Sequence, residues 1–503
     1  MRRIVLLAAL FAASAPRVAA ADEPGLGVDP SRPRVGDDDS DEDESSDGGG
    51  ADEDGFRFQF HGYLRVPGRV GIGKVDGAPG RKLHAPPHIP DSQYTDWRFT
   101  NNIVGPWTEL WFNYGNGRVS ANVEIAAYNV TDGGYKDLVS QLGITESFIT
   151  IKAPHPFGSR VNLAWNVGAF SNRYGTAGVY DAGKYDTYLF GATHVAGETL
   201  AASYDVSEDL QIEAEHGVGG KIEPIPFQAG PDGSPPDNPF GPYPGDVEQG
   251  ATFLHHAHIG ATWQKQLTAA LHYLTAWTDD ADLATEHDGR ITVVGAEAKL
   301  INSRWGNGYL GFAHLRARDA LRVSGAIETL HSFEGWELRD NYFPGNPDGE
   351  DASGTGTMNT VLFEYTFSLA TYFWHPQEFY GQGPDLTFSA FGMFNQISSD
   401  DPAFAGAKQK LKLGGEVVYT PLTWLGVAAR YDLVQPNMDD ARESFHVITP
   451  RMILRSEFAS HEEVWIQYSQ YLNGSRVRST AVWPYEPTRA DDAALAITAV
   501  MWW

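Results

Sequence analysis

The sequence predicts an all-β fold: a transmembrane antiparallel β-barrel of about eighteen strands, with roughly sixteen as the alternative, short periplasmic turns and long extracellular loops. Three observations predict it. From residue 55 onward, segments of about ten residues alternate apolar and polar side chains. Short and long connections take turns along the chain, and the chain closes on an alternating segment that ends on aromatics, ALAITAVMWW (494–503).

The alternation is clearest in GFRFQFHGYLR (55–65), where Phe56, Phe58, Phe60, Gly62 and Leu64 hold one parity and Arg57, Gln59, His61, Tyr63 and Arg65 the other. An extended strand sends alternate side chains to opposite faces, so this segment has one apolar and one polar face. RVSANVEIAAYN (118–129) repeats the pattern with Val119, Ala121, Val123, Ile125 and Ala127, and Leu425, Val427, Ala429, Tyr431 and Leu433 repeat it again. In hydrocarbon every backbone group must be paired within the protein, so a sheet crosses a membrane only as a closed ring. The apolar parity is then expected to meet lipid and the polar parity a water-filled interior.

Short turns are expected at GNG (115–117), PHPFGS (154–159), VSED (206–209), QKQ (264–266), NSRWGN (302–307), TPLT (420–423) and ASHE (459–462), with a longer one at 373–384. Long polar segments lie between them, as at 67–106, 170–197, 219–252 and 319–355. A soluble sandwich also alternates but has no reason to sort its loops into short and long by turns. The 22 Tyr, 14 Trp and 26 Phe are enough to furnish aromatic girdles at both membrane interfaces.

The amino-terminal part divides differently. Residues 1–21 combine a basic start (MRR), an apolar run (IVLLAALFAASA) and a small-residue stretch (VAAA), the pattern of an export signal cleaved near Ala20 or Ala21. Residues 22–54 hold 14 acidic and 2 basic residues and have almost nothing to bury, which predicts a disordered, solvated acidic segment. That segment carries −12 of the total −28, and with the +3 of the signal also set aside residues 55–503 carry −19. A nucleic-acid partner would need a basic face and is not expected. With no cysteine in the chain, disulfides and thiolate metal sites are excluded.

The opening FHGYLR (60–65) and the closing WW (502–503) resemble the maltoporin (LamB-type) sugar porins. The resemblance implies an eighteen-stranded barrel in the outer membrane of a Gram-negative bacterium, assembled as a homotrimer, through which small hydrophilic solutes such as maltodextrins and other sugars diffuse passively. It implies that Tyr63 belongs to an aromatic path for sugar rings and Arg65 to a polar track beside it, with His61 on the same lumen wall. SNRYG and YDAGKYDTYLFG (171–191) stand where that family has a loop folded into the pore, which would bring Arg173, Tyr174, Tyr185 and Tyr188 to a constriction; an exposed cap is the alternative.

Arg316, Arg318, Arg430, Arg451 and Arg455 also fall on expected lumen positions, and the last three suggest a ladder of guanidinium groups across two strands. Such a ladder attracts anions, so an anion- or phosphate-selective porin is the second function, unless acids on the same wall pair with it. His256 and His258 in LHHAHIG (254–260) share a parity, but no carboxylate of obvious register completes a metal site. No cofactor is implied. The motifs of serine hydrolases, zinc proteases and phosphate-binding loops are missing from the chain, so no enzyme is expected, and a rim active site or a surface adhesin ranks below both porin functions. Pro450 lies inside its strand and cannot donate to the ladder, which predicts a bulge or an early strand end there.

Overall fold

The wall begins and ends at one seam, where the first and last strands pair. The computed structural model describes residues 55–72, 83–84, 107–128, 141–173, 175, 188–224, 249–279, 290–318, 355–374, 384–399, 409–435, 437–456, 461–474 and 491–503. Residues 1–21 and 22–54, expected to be an export signal and a disordered acidic segment, lie outside the described residues. The strands are β1 (Arg57–Ile72), β2 (Leu83–His84), β3 (Trp107–Gly115), β4 (Val119–Tyr128), β5 (Gln141–Pro154), β6 (Val161–Arg173) and β7 (Ala192–Ser207). They continue as β8 (Leu210–Pro224), β9 (Gln249–Trp263), β10 (Leu267–Asp279), β11 (Arg290–Leu300), β12 (Asn307–Arg318) and β13 (Thr355–Ser368). The last are β14 (Asp385–Ser399), β15 (Gln409–Leu422), β16 (Leu425–Gln435), β17 (Phe445–Ser456), β18 (His461–Asn473) and β19 (Asp491–Trp502).

All nineteen belong to one antiparallel sheet, closed by the pairing of β19 with β1. Since β2 is a two-residue piece against the end of β1, eighteen long strands make the ring. The expected short turns join β3 to β4, β5 to β6, β7 to β8, β9 to β10, β11 to β12 and β15 to β16. At the QKQ turn, Gln264 and Lys265 both have φ of 52° and the Gln266 amide donates to the Trp263 carbonyl, the tight geometry whose twist matches a hairpin. The longer connection expected at 373–384 starts earlier, with a helical turn α1 (Leu369–Phe373) capped by the Ser368 hydroxyl and the Asp385 carboxylate.

The alternation translates into two faces. Outward positions are exposed and apolar, as in Phe58, Ile259, Leu271, Val294, Leu310, Val427 and Ile497. Exposed apolar surface on this scale is untenable in water, so the closed ring with this exterior is a transmembrane barrel. At the short-turn rim Trp305 and Tyr372 meet edge to face at 5.3 Å with the Arg304 guanidinium over Tyr372, and toward the long-loop rim Phe253 stacks on Trp277 at 5.7 Å. Rings of this kind mark the two interfaces of the hydrocarbon layer.

Three expectations need correction. Strands run past the predicted ends: β1 continues through Pro67 and Gly68 to Ile72, paired with β19 throughout, because beyond the hydrocarbon a polar or glycine-containing stretch can still hold a ladder. Pro450 causes neither a bulge nor an early end. The β17 register is unshifted on both sides, and only the bridges from 449 and 450 to β18 drop out, where the Thr449 and Ser469 hydroxyls bond at 2.9 Å instead. Finally, the inner face is not polar throughout. Toward the long-loop rim it is lined by Leu274, Ile291, Val293, Leu315, Leu362 and Val447, all buried, and Leu189 and Phe190 from the connection between β6 and β7 join this cluster.

The seam explains the two terminal motifs. Gly62 and Trp503 exchange backbone hydrogen bonds, each 3.1 Å, and the Trp503 ring lies over Gly62 with Phe60 at 5.9 Å. A Cβ on residue 62 would sit 2.1 Å from that ring, so the glycine is the space into which the carboxyl-terminal indole fits. Gly62→Val is expected to cost about 1–3 kcal/mol by overpacking, whereas Leu64→Val on the same face keeps the seam intact. Urea unfolding followed by tryptophan fluorescence checks this, and equal stability of the two variants would show that the ring does not depend on this contact.

Candidate functional site: the inner wall

His61, Tyr63 and Arg65 all point inward. His61 pairs with Trp111, Tyr63 lies between Glu109 and Trp502, and Arg65 is buried beside Val500. The inward parity is the one expected from the alternation, and the same face also carries Trp111, Trp465 and Trp502, which sequence reasoning missed because they come from strands far apart in the chain. From β3 to β7 the wall carries a continuous band of amides and hydroxyls. Asn113 donates to Asn122 (2.6 Å), Asn122 to Thr150 (3.3 Å), Thr150 to Asn166 (2.8 Å), and Asn166 to Thr199 (3.2 Å). Each of these groups has a partner one strand away, so the band is held in place sideways while its remaining hydrogen-bonding capacity faces the lumen.

The arginines are compensated. Arg430 donates through Nε and Nη2 to both oxygens of Asp432 at 2.9 Å and lies 4.6 Å from the Phe391 ring centroid. Arg451 contacts Gln467 (3.1 Å) and Glu416 (3.5 Å) and lies over Trp465, and Arg455 bonds Glu463 at 2.8 Å. The expected ladder therefore exists as geometry, but each rung has its own carboxylate. Arg316 and Arg318 are a correction: both are exposed on the lipid-facing parity, because in β12 the inward positions are Tyr309, Gly311, Ala313 and Leu315.

Charge is nevertheless sorted around the ring. From β15 through β19 to β1 the inner positions carry Lys410, Lys412, Arg430, Arg451, Arg455 and Arg65 against Glu416, Asp432 and Glu463. The opposite arc, β3 to β13, carries Glu109, Glu124, Glu213, Glu215, Glu297 and Glu364 against Lys152 and Lys299. A basic arc facing an acidic one sets up a field across the lumen, strongest where low-dielectric walls focus it.

Of the candidate constriction residues, Arg173 closes β6 and Tyr188 begins a 3₁₀ turn, Tyr188–Phe190. Tyr174 and Tyr185 lie outside the described residues, as do the side chains of Arg173 and Tyr188. The turn itself lies inside the ring, against the inner faces of β11 and β12. Phe190 is buried against Tyr309 (6.2 Å, edge to face) and over Gly311, where a Cβ would meet its ring at 2.8 Å.

Three wall residues hold the turn. His272 Nε2 lies 2.8 Å from the Leu189 carbonyl, which only accepts, so Nε2 carries a proton. His272 Nδ1 is 2.5 Å from Glu297 Oε1, and Tyr309 donates to Glu297 Oε2 at 2.7 Å. Both side chains of the His272–Glu297 contact are fully buried. Sequence reasoning singled out His256 and His258 instead. These do face inward, but His256 is bonded to Asn172 (2.9 Å), which itself bonds Glu215 (2.6 Å), and among the described residues no group of three or more ligating side chains could hold a metal ion.

No protein-family model matches the chain, and no curated protein matches it. Among solved structures it is similar to the outer membrane channel DcaP of Acinetobacter baumannii (TM-score 0.42, 11% identity, covering 90% of this chain and 99% of that one). It is also similar to OccAB1 of Acinetobacter baumannii (TM-score 0.41, 11% identity, 89% and 96%) and to OmpT, an outer membrane protein of Vibrio cholerae (TM-score 0.37, 10% identity, 90% and 99%).

Removing the carboxylate tests the clamp on the turn. Glu297→Ala removes the carboxylate that His272 Nδ1 and the Tyr309 hydroxyl contact, at about 1–3 kcal/mol for each lost bond, and is expected to speed hydrogen exchange of the amides at 189–191. Glu297→Gln can still donate to a neutral His272 and accept from Tyr309, so it is expected to retain most of the protection. Exchange unchanged in both variants would mean that other contacts hold the turn.

Proposed function

We propose that this chain is a porin of a Gram-negative outer membrane that lets small hydrophilic solutes, sugars first among them, diffuse passively through its lumen. The observation that carries the proposal is the inward turn Tyr188–Phe190, clamped to the wall inside a closed ring. A segment held there narrows the lumen, which a purely structural or adhesive barrel has no use for. No covalent chemistry is involved. Residues 1–21 serve as the export signal, residues 22–54 as a solvated acidic spacer, and the barrel works as a homotrimer.

Sugar is favoured over other solutes by the company of Tyr63. Its inner face combines Trp111, Trp465 and Trp502 with Arg65, Glu109 and Glu463. Sugar rings have apolar faces ringed by hydroxyls, and aromatic surfaces flanked by charged hydrogen-bonding groups hold them weakly at several places. Weak, repeated sites favour flux. The anion-selective function ranks second because Arg430, Arg451 and Arg455 each have a carboxylate partner. What favours it is the excess of cations on the arc from β15 to β1.

Single-channel recording in planar bilayers separates the two. Maltodextrin added to the bath is expected to block the current, and Tyr63→Ala or Arg65→Ala to weaken the block by about tenfold, the loss of one stacking or charge-assisted contact, without reducing assembly. Currents blocked by phosphate, with anion-selective reversal potentials and no maltodextrin effect, would replace the sugar porin with the anion porin. A correctly folded barrel with no conductance would reject both.

A further inference from the structure

Among the described residues, Glu198 is the one carboxylate that an outward position carries away from the strand ends. It stands on β7 opposite Val167 of β6 and Val218 of β8, with Ala196 and Leu200 beside it along the strand, all four exposed. The same ladder row runs on from Val218 to His255 of β9, and Phe253, the next outward residue toward the long-loop rim, belongs to the aromatic girdle. Glu198 therefore lies below that girdle, against the hydrocarbon layer, where a charged side chain destabilises a barrel.

Two histidines share this stretch of wall. His216 of β8 pairs with Leu200, which makes it the diagonal neighbour of Glu198. Its ring lies 4.8 Å from that of His255, which meets Tyr273 of β10 edge to face at 5.8 Å. On the other side, Trp165 of β6 donates from Nε1 to Glu198 Oε2 at 3.0 Å. A band of polar and ionisable tips thus crosses β6 to β10 on a face that otherwise shows Val167, Leu200, Val218, Ile259 and Leu271. Acyl chains offer such a band no partner, whereas a protein surface does.

The order of charge along the band points to a particular protein. The acid lies on β7 and the imidazoles on β8 and β9, so around an axis passing outside β8 each copy turns Glu198 toward one neighbour and the histidines toward the other. A contact between unlike halves of one patch is heterologous and closes into a ring when the rotation allows. Carboxylate–imidazole contacts held away from water are also among the stronger polar ones.

We propose that the outer face of β6 to β10 is where copies of this chain meet, with Glu198 of one copy facing His216 and His255 of the next around a threefold axis. The inference rests on the homotrimer proposed above and assigns its interface; the aromatic face of the lumen plays no part in it.

The chain has no cysteine, so introduced thiols report on this contact alone. In Glu198→Cys/His255→Cys the two thiols of one barrel are two strand spacings apart, about 10 Å, beyond the roughly 7 Å between Cα atoms that a disulfide spans. Oxidation of the full-length variant in membranes is therefore expected to link copies to one another, up to covalent trimers on non-reducing gels. A matching pair on the far wall, Tyr419→Cys/Met452→Cys, is expected to give no cross-links. In native mass spectrometry Glu198→Lys is expected to lower the trimer fraction by about tenfold, the scale of a lost charge-assisted contact, and Glu198→Lys/His216→Glu/His255→Glu to restore it. Equal cross-linking at both walls, trimers without cross-links, or a Glu198→Lys trimer fraction equal to wild type would overturn the proposal. So would trimers unmoved by Glu198→Lys while co-purifying lipid is lost, which would assign the face to lipid. A monomeric wild type that conducts would remove this interface and keep the porin function, and cross-linked trimers without conductance would do the reverse.

Discussion

In a hydrocarbon layer an amide that fails to find a carbonyl in its own protein finds nothing. That constraint fixes the ring: eighteen long strands, each paired on both sides, with β19 returned to β1 so that no edge is left. Once the ring is closed the other features follow as placements on it. The outward parity must be apolar because it has lipid to meet, and the inward parity is released from that demand, free to carry amide bands, paired charges and a packed apolar cluster at different heights.

The inner wall uses that freedom in two ways. Toward the long-loop rim it behaves like the interior of a soluble protein, with Leu274, Ile291, Val293 and Leu315 buried and Phe190 brought in to pack beside them. Elsewhere it behaves like a surface, with carboxylates and guanidinium groups sorted into opposite arcs. The clamp of His272, Glu297 and Tyr309 sits where these two regimes meet. It gives a segment from the far side of the hairpin series a polar anchor within an apolar packing site, and the fully satisfied network fixes one position for it.

How much of this could be read from the chain depended on whether one solvent decided the residue. The outward parity of β1, β4 and β16 was legible because lipid accepts only apolar side chains, and the strand number followed from the sorted turns. Arg316 and Arg318 were placed on the wrong side for the same reason. In GYLGFAHLRAR both parities carry apolar residues, so assigning the arginines inward relied on a polar lumen, and at that height the lumen side is Ala313 and Leu315. The arginine ladder was legible as positions, but its neutralisation was not, since Arg451 finds Glu416 two strands away and Arg455 finds Glu463 across a hairpin. Nor could His272 be singled out, because Leu189 and Glu297, which it contacts, and Tyr309, which bonds Glu297, come from the β6–β7 connection, β11 and β12, and no spacing in the chain joins them.

The seam at Gly62 and Trp503 also sets an order in time. Neighbouring strands are joined by local connections and can zip in sequence, each paying a small loop-closure cost, but the pair that closes the ring joins Gly62 on β1 to Trp503 beside β19. Until that residue arrives, two unpaired edges coexist, each able to recruit a foreign strand. Closure of the ring therefore comes after the hairpins, and both edges need shelter until β19 meets β1.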